Sequence, residues 1–369
     1  MIERFWISGY RSIRNLDLDL GNLVVILGGN GVGKTNLYRG LELIQAAAYG
    51  SLARDLAGEG GMPSALWAGA PWRTEEERET FAVSRAGPSK ITLGARVDHL
   101  SYDLSIGLPN PISEPALPLD PVIRDEAVHA HAGGRKVAMM KRKGPLLQQR
   151  DNAGKMIPCQ SDLLMAETAL SAMISPDGAA ETALLQHHIR RWRFFHQFRT
   201  DKASPLRQPH FAICAPELDS SGENWAAVLL TQRELGDGRE VTDAIDAAFP
   251  GGALDFQTDG ARVDIRLQTP EFQRPFGAAE LSDGMLRYLC LIAAFKSYRL
   301  PPFIALNEPE TSLHQDLIPP LAHLIGGASR ETQILVVTHA PELAEILDLD
   351  YAADVIRLEK VKGETRVMD

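Results

Sequence analysis

Consecutive residues near the beginning of the chain have the types and spacing of a phosphate-binding loop. In order they are Gly28, Gly29, Asn30, Gly31, Val32, Gly33, Lys34 and Thr35. They fit the pattern GxxxxGK[ST], in which glycines let successive backbone N–H groups converge on phosphate oxygens. Lys34 would bring a cation to the β- and γ-phosphates, and Thr35 a hydroxyl group to Mg²⁺. The motif predicts a site for a nucleoside triphosphate.

The elements on either side of this loop have the patterns that the motif requires. Residues 23–27 are continuously apolar and mostly β-branched, which predicts a strand covered on both faces. Residues 35–49 carry Leu37, Leu41 and Ile44 at helical spacing. The N-terminus of this predicted helix would add its positive dipole end to the site.

Polar side chains end two further predicted strands. Asn307 and Glu308 follow the apolar run 303–306, and His339 follows the run 333–338. The carboxyl ends of parallel strands are where open α/β sheets bind ligands. Taken alone, each of these side chains could equally be an ordinary polar residue at the end of a strand.

Ser282 precedes an apolar helical pattern and is predicted to be its N-cap. The free N–H groups of that helix end would suit an anion. A capped helix after Leu281 explains the string Leu281-Ser282-Asp283-Gly284 just as well.

The composition narrows the class of protein. The 369 residues are 44% hydrophobic and 23% charged, as in folded globular proteins, and no apolar run is long enough for a membrane span. The first residues lack the pattern of a signal peptide, so we expect a cytoplasmic protein. The net charge of −10 argues against a surface that is basic throughout. The three dispersed cysteines indicate neither a disulfide framework nor a zinc site, and we expect buried, reduced thiols.

The order of elements predicts an α/β protein with an added antiparallel subsheet. Residues 91–108 alternate in two runs that predict a hairpin or a bulge, and prolines crowd residues 109–121. We therefore predict a discontinuous core, residues 1–108 and 217–369, and a mixed insertion lobe, residues 109–216. In the lobe we expect a hairpin around Gly133-Gly134 and helices over residues 162–174 and 181–199.

Together the motifs resemble those of the ABC ATPases, a group of P-loop NTPases, in order and topology. The string Leu281-Ser282-Asp283-Gly284 resembles their LSxG signature, Asn307-Glu308 their Walker B strand end, and His339 their switch histidine. The segments 5–13, 31–37, 281–287 and 307–314 further resemble the RecF/SMC-related branch, in particular stand-alone ATPases related to the OLD family. The insertion carries little of this resemblance, and we expect no counterpart of the C-terminal Toprim nuclease of OLD proteins.

The resemblance implies roles for particular residues. Glu308 would polarise the attacking water, His339 would contact the γ-phosphate, and Lys34 would bind phosphates. Residues 28–36, which include Asn36, would contact the nucleotide, and Thr35 with Asn307 would hold Mg²⁺. Ser282 and Gly284 would complete the site of a second subunit. Arg11 would contact phosphate or base, although a surface arginine in a strand connection is the alternative.

The sequence departs from the family pattern in two places. Asn307 stands where the family commonly has Asp, so the magnesium shell loses one charge. The resemblance also implies a Q-loop glutamine, which has no clear counterpart, and only Gln148 and Gln149 are candidates. Glu310 and His314 are interpreted as loop and helix-start residues.

The resemblance implies a Mg²⁺- and ATP-binding ATPase that dimerises around nucleotide and couples hydrolysis to DNA or to a partner protein through the insertion. A role in DNA repair, maintenance or defence would fit. The alternative is a nucleotide-sensing scaffold with little hydrolysis, and a transporter subunit fits less well. Basic residues could track DNA phosphates or form a solvated face: Arg135, Lys136, Lys141, Arg142, Lys143, Arg150 and Lys155. The aromatic and basic residues of 187–199 could stack on bases or pack inward.

Overall fold

The structure is a computed structural model that describes residues 1–69, 90–108, 120–172 and 180–368. The strands are β1 (Ile2–Tyr10), β2 (Ile13–Asp19), β3 (Leu23–Leu27), β4 (Lys90–Val97), β5 (Leu100–Gly107), β6 (Val122–Ala132), β7 (Arg135–Lys143), β8 (Leu146–Arg150), β9 (Met156–Cys159), β10 (Arg193–Phe195), β11 (His210–Phe211), β12 (Ala253–Thr258), β13 (Arg262–Gln268), β14 (Phe276–Gly277), β15 (Phe303–Asn307), β16 (Gln333–Thr338), β17 (Asp354–Val361) and β18 (Glu364–Val367).

Helices alternate with these strands in the second half of the chain. The α-helices are α1 (Lys34–Tyr49), α2 (Leu52–Gly58), α3 (Met62–Ala65), α4 (Ala169–Ala172), α5 (Ala180–Arg190), α6 (Trp225–Leu235), α7 (Gly238–Ala248), α8 (Asp283–Phe295), α9 (Ile318–Ala328) and α10 (Pro341–Tyr351). Short 3₁₀ helices cover Pro205–Arg207 and Gln315–Leu317. No helix among the described residues has the length and apolarity that a membrane crossing needs.

The chain divides into two compact units. The first comprises residues 1–21, 28–192 and 356–369, and the second comprises residues 22–27 and 193–355.

The first unit is built on an antiparallel sheet in the order β2-β1-β4-β5-β6-β7-β8-β9. In β2, Leu16 and Leu18 are buried while Asp17 and Asp19 are exposed, which confirms the predicted alternation. Helix α1 comes close to β1, since a Cβ atom at Gly40 would lie 2.6 Å from Ile7 Cδ1. The C-terminal hairpin of β17 and β18 also contributes to this unit, with Leu358 opposite Val367.

The second unit contains a parallel sheet in the order β10-β15-β16-β3. Every residue of β15 and β16 is buried, as expected for strands covered on both faces. The helices α6 to α10 pack against this sheet in one apolar cluster. A smaller antiparallel sheet, β11-β13-β12 with β14 beside β13, completes the unit.

The helix that the sequence predicts over residues 181–199 is wrong in its second half. Helix α5 ends at Arg190, and Arg193–Phe195 form β10, which pairs in parallel with β15. The apolar residues keep a helical spacing past Arg190, but pairing with β15 overrides that local pattern. Four aromatic side chains of this segment, Trp192, Phe194, Phe195 and Phe198, are buried, so they pack inward.

The hairpin predicted around Gly133-Gly134 is confirmed as β6 and β7. The helix predicted over residues 162–174 is reduced to the four residues of α4 within the described range, which ends at 172. Strands from the predicted insertion range pair with strands from outside it, since β6 pairs with β5 and β10 with β15. The division into a core and an insertion lobe, residues 109–216, stays a prediction, and the prolines at 109–118 lie outside the described residues.

Two sequence-based expectations about single residues need correction. Arg142 is buried and donates hydrogen bonds to the carbonyl oxygens of Gly144, Leu164 and Glu167, so it belongs to no exposed basic surface. The three cysteines are free as expected, but only Cys290 is buried, and Cys214 is exposed.

Candidate functional site

The glycine-rich loop, residues 28–33, lies between β3 and α1, as its motif predicts. Lys34 begins α1, and its side chain folds back into the loop. Its Nζ donates to the carbonyl oxygens of Gly28 at 2.7 Å and Gly29 at 2.9 Å. Lys34 is only 4% exposed, so the backbone wraps around a buried ammonium group. Such a loop can bind an anion at its N–H groups and place a cation beside it.

Two positions of the loop need glycine for different reasons. Gly33 has φ 106°, and a Cβ atom there would lie 2.0 Å from Thr365 Oγ1. A Cβ atom at Gly28 would lie 2.8 Å from the carbonyl oxygen of Leu358. Both contacts come from the C-terminal hairpin, which therefore lies directly against the loop.

Arg11 and Asn36, which the resemblance implied as nucleotide contacts, have protein partners. Arg11 Nη2 lies 2.8 Å from Glu59 Oε2, and the same carboxylate accepts from Tyr10 at 2.7 Å and lies 3.1 Å from Arg39. The Asn36 amide donates to Ser12 Oγ at 2.7 Å. Both residues are thus held by the first unit, and their contact with nucleotide stays a prediction.

In the second unit, the polar strand ends predicted from the sequence lie at one edge of the parallel sheet. Asn307 at the end of β15 is opposite Val337, and Thr338 at the end of β16 is opposite Leu27 at the end of β3. Asn307 is 7% exposed, and its Oδ1 has no hydrogen-bond partner among the residues that the structure describes. An oxygen in this situation is costly unless a donor or a cation shell reaches it.

Glu308, Glu310 and His339 form a cluster beyond this edge. His339 Nδ1 lies 3.2 Å from Glu310 Oε1 and 3.8 Å from Glu308 Oε1. Glu310 Oε1 also accepts from Thr338 Oγ1 at 2.5 Å and from the His339 N–H at 3.1 Å. The Glu310 side chain is 6% exposed and that of Glu308 is 34% exposed. Glu310 therefore holds the imidazole in place, and Glu308 is the carboxylate that solvent can reach.

Glu310 is a residue that sequence reasoning missed, because it was interpreted as an ordinary loop residue. An acidic residue two positions after Glu308 carries no local signal of burial. Its contact with His339 depends on the pairing of β15 with β16, which a short window of sequence does not contain.

The signature string has the local structure that was predicted for it. Ser282 is the N-cap of α8, and its Oγ accepts from the Met285 N–H at 3.2 Å. Ser282 is exposed. A Cβ atom at Gly284 would lie 2.6 Å from the Ser312 carbonyl oxygen, so glycine allows the helix end to approach the segment after Glu308. From the same helix, Arg287 Nη1 donates to the Thr311 carbonyl oxygen at 2.6 Å, and burial lowers the pKa of its guanidinium.

A glutamine that the sequence analysis did not identify lies close to this edge. Gln197 follows β10 and lines a cavity of about 10 Å³ together with Asn307, Glu308 and Arg287. The candidates Gln148 and Gln149 instead lie in β8 of the first unit. The wrong helix prediction across residues 193–199 hid this position, because β10 and the residues after it were assigned to a helix.

Within the described ranges, no group of three or more His, Cys, Asp or Glu side chains could hold a metal ion. Magnesium at nucleotide sites uses few protein ligands, because phosphate oxygens and water supply the rest. The buried Asn307 Oδ1, which has no partner in the described part of the chain, fits that chemistry, since a carbonyl oxygen can accept from metal-bound water.

Comparisons with known proteins identify the family and the fold of this chain. A family model described as "AAA domain, putative AbiEii toxin, Type IV TA system" matches residues 140–345, which is more than half of the chain. This range includes Ser282, Glu308 and His339. The phosphate-binding loop precedes it. No curated protein matches the chain.

Two solved structures have a similar fold. A crystal structure of an Smc head bound to the C-winged helix domain of ScpA has a TM-score of 0.52 and 16% identity, over 100% of this chain and 97% of that chain. The Smc head domain with an extended coiled coil bound to the C-terminal domain of ScpA, from Pyrococcus furiosus, has a TM-score of 0.51 and 14% identity. There the match covers 100% of this chain and 95% of that chain.

At these identities the likeness shows the fold alone, which is the SMC-related P-loop fold that the motifs predicted. The family match covers the signature and both strand ends. This chain belongs to the family described as AAA domain, putative AbiEii toxin, Type IV TA system, and it has the fold of an ABC-type P-loop ATPase related to SMC and RecF proteins.

Proposed function

We propose that this chain hydrolyses ATP in the presence of Mg²⁺ and that its active form is a homodimer closed around two nucleotides. One observation carries the proposal, namely the shared edge of three parallel strands. β3 leads into the phosphate-binding loop, β16 into His339, and β15 into Asn307 and Glu308. β16 lies between the other two strands and pairs with both. The carboxyl edge of such a sheet is where ligands bind in open α/β proteins.

In this proposal the loop amides and Lys34 bind the β- and γ-phosphates. Thr35 and Asn307 would hold magnesium, which supplies positive charge to the phosphate oxygens. Glu308 polarises the attacking water, because it is the accessible carboxylate of the cluster. His339 Nδ1 lies 3.2 Å from Glu310 Oε1, so Nε2 would be the ring nitrogen that faces the γ-phosphate.

The proposed dimer uses the exposed end of α8. Ser282 caps that helix and is itself exposed, so the amides of the helix end are accessible to a second molecule. In the dimer this end would contact the γ-phosphate bound by the other subunit. Each site would then need the phosphate-binding loop of one subunit and the signature of its partner.

The alternative function is a nucleotide sensor with negligible turnover. The observation that favours it is Asn307, which brings no charge to the magnesium shell where the related ATPases commonly have Asp. Steady-state phosphate release at saturating Mg-ATP separates the two functions: sustained turnover excludes the sensor, and binding without turnover excludes the enzyme.

Replacement of Glu308 by Gln tests its role directly. Glu308→Gln keeps the shape of the side chain and removes the base, so turnover should fall about 10²-fold to 10⁴-fold while ATP still binds. Phosphate release and ATP titration on the same preparation measure both quantities. Glu342→Gln is the control, because Glu342 is an exposed carboxylate in α10. Wild-type turnover by Glu308→Gln would show that another group activates the water.

Replacement of Ser282 by Arg tests the dimer. In the Glu308→Gln background, ATP should convert monomers to dimers, and Ser282→Arg should prevent this by blocking the exposed helix end. ATP binding by the monomer should be unchanged, because Ser282 serves the other subunit's nucleotide. Light scattering with and without ATP measures the mass. Ser220→Arg, at another exposed serine, is the matched control. Dimers that form normally with Ser282→Arg would contradict this arrangement.

We further propose that the ATP state controls binding of DNA or a partner protein through the surface that includes β7. Lys141 and Lys143 are exposed there, whereas Arg142 is turned inward. If DNA binds, the double change Lys141→Glu and Lys143→Glu should weaken binding and reduce the slope of log affinity against log salt by about two.

Filter binding of duplex and single-stranded DNA over a salt series measures that slope, with exposed Lys202→Glu as the control. Equal slopes for the double variant and the wild type would exclude this surface as the DNA contact. If the wild type shows no salt-dependent binding of DNA, a partner protein remains as the ligand whose binding the ATP state would control.

A further inference from the structure

A chain of hydroxyl hydrogen bonds connects the C-terminal hairpin to the backbone of the phosphate-binding loop. Thr365 Oγ1 donates to the Val32 carbonyl oxygen at 2.7 Å and lies 2.7 Å from Ser12 Oγ. Ser12 Oγ in turn accepts from the Asn36 amide at 2.7 Å. Thr365 is completely buried, and its N–H donates to the Ser12 carbonyl oxygen at 2.8 Å.

The direction of every bond in this chain is determined. A hydroxyl group has one proton. Thr365 donates its hydroxyl proton to the Val32 carbonyl oxygen. In the bond between Ser12 and Thr365, Ser12 must therefore be the donor. Ser12 then accepts from Asn36. The series of hydrogen bonds thus leads from α1, through Ser12 between β1 and β2 and Thr365 of the hairpin, to the phosphate-binding loop.

This chain orients a peptide group of the loop. In a trans peptide the C=O of one residue and the N–H of the next point in opposite directions. Because Thr365 binds the Val32 carbonyl on the hairpin side, the Gly33 N–H points away from the hairpin. Lys360 Nζ similarly donates to the Gly31 carbonyl oxygen at 3.3 Å, which turns the Val32 N–H away from the hairpin.

Such orientation matters because glycine peptides are intrinsically mobile. Gly31 and Gly33 both have positive φ. Without hydrogen-bond partners, little restrains the backbone at such glycines. A loop that has to order its amides when the ligand arrives loses affinity, and a preorganised loop does not.

We propose that Thr365 is a positioning residue for nucleotide binding: it holds the Val32–Gly33 peptide with its N–H group towards the phosphates. The proposal rests on the proposed role of the loop as the nucleotide site. It adds a residue that influences nucleotide affinity although it lies far from the motif in sequence, in the C-terminal hairpin.

The test compares two substitutions at Thr365 in the chain of 369 residues. Thr365→Val keeps the shape of the side chain and removes the hydroxyl, so affinity for ADP and for ATP with Mg²⁺ should fall roughly fivefold to thirtyfold. Thr365→Ser keeps the hydroxyl and should restore most of that affinity. Calorimetric titration measures the affinities, and thermal unfolding without nucleotide shows that each variant is folded.

Thr168→Val is the matched control. Thr168 is also buried in the first unit, and its Oγ1 donates to a backbone carbonyl, that of Ala47, at 2.6 Å. Its loss should lower thermal stability and leave nucleotide affinity unchanged. If Thr168→Val weakens binding as much as Thr365→Val, the effect is one of general stability and the proposal is wrong.

Wild-type affinity in Thr365→Val would also overturn the proposal. If Thr365→Val does not fold, Ser12→Ala is the deciding variant. It interrupts the same series of hydrogen bonds and should weaken ADP binding. Unchanged affinity for ADP would contradict the proposal. Failure of the proposed function looks different, because then the wild-type protein itself would not bind nucleotide.

Discussion

The buried ammonium group of Lys34 constrains the backbone around it. A buried cation is costly unless hydrogen bonds replace its water, and here the carbonyl oxygens of Gly28 and Gly29 do so. The loop folds back so that these carbonyls face the ammonium, and Gly33 within it has a positive φ of 106°. Phosphate oxygens offer the ammonium stronger partners than carbonyl groups do, since they carry charge. The same constraint therefore makes the loop stable and leaves it ready for a nucleotide.

In the cluster at the ends of β15 and β16, two carboxylates differ in burial. Glu310 is enclosed and already binds a threonine hydroxyl, a backbone N–H and the His339 ring. Glu308 has φ 49° and one third of its side chain exposed. A left-handed conformation is unfavourable for glutamate, and such strain is often found where a side chain must be aimed for function. The difference in burial thus distinguishes Glu310, which positions the His339 ring, from Glu308, which can act on water.

Sequence patterns predicted the parts of the fold that depend on local periodicity or on a dense motif. The loop at residues 28–35, the alternation in β2 and the Ser282 cap are all of this kind. The sequence did not reveal β10, Gln197 or Glu310, because their places depend on pairing between segments far apart in the chain. Arg142 illustrates the same limit, since its neighbours Lys141 and Lys143 are exposed and alternation along β7 turns Arg142 inward, as it does Met140.

The most direct test of the account is a structure of the Glu308→Gln protein with Mg-ATP. We predict that Lys34 Nζ leaves the Gly28 and Gly29 carbonyls for phosphate oxygens, and that residue 308 and His339 lie beside the γ-phosphate. Ser282 of a second copy should complete the site. A nucleotide bound elsewhere, or residue 308 and His339 on a surface remote from the γ-phosphate, would contradict the account.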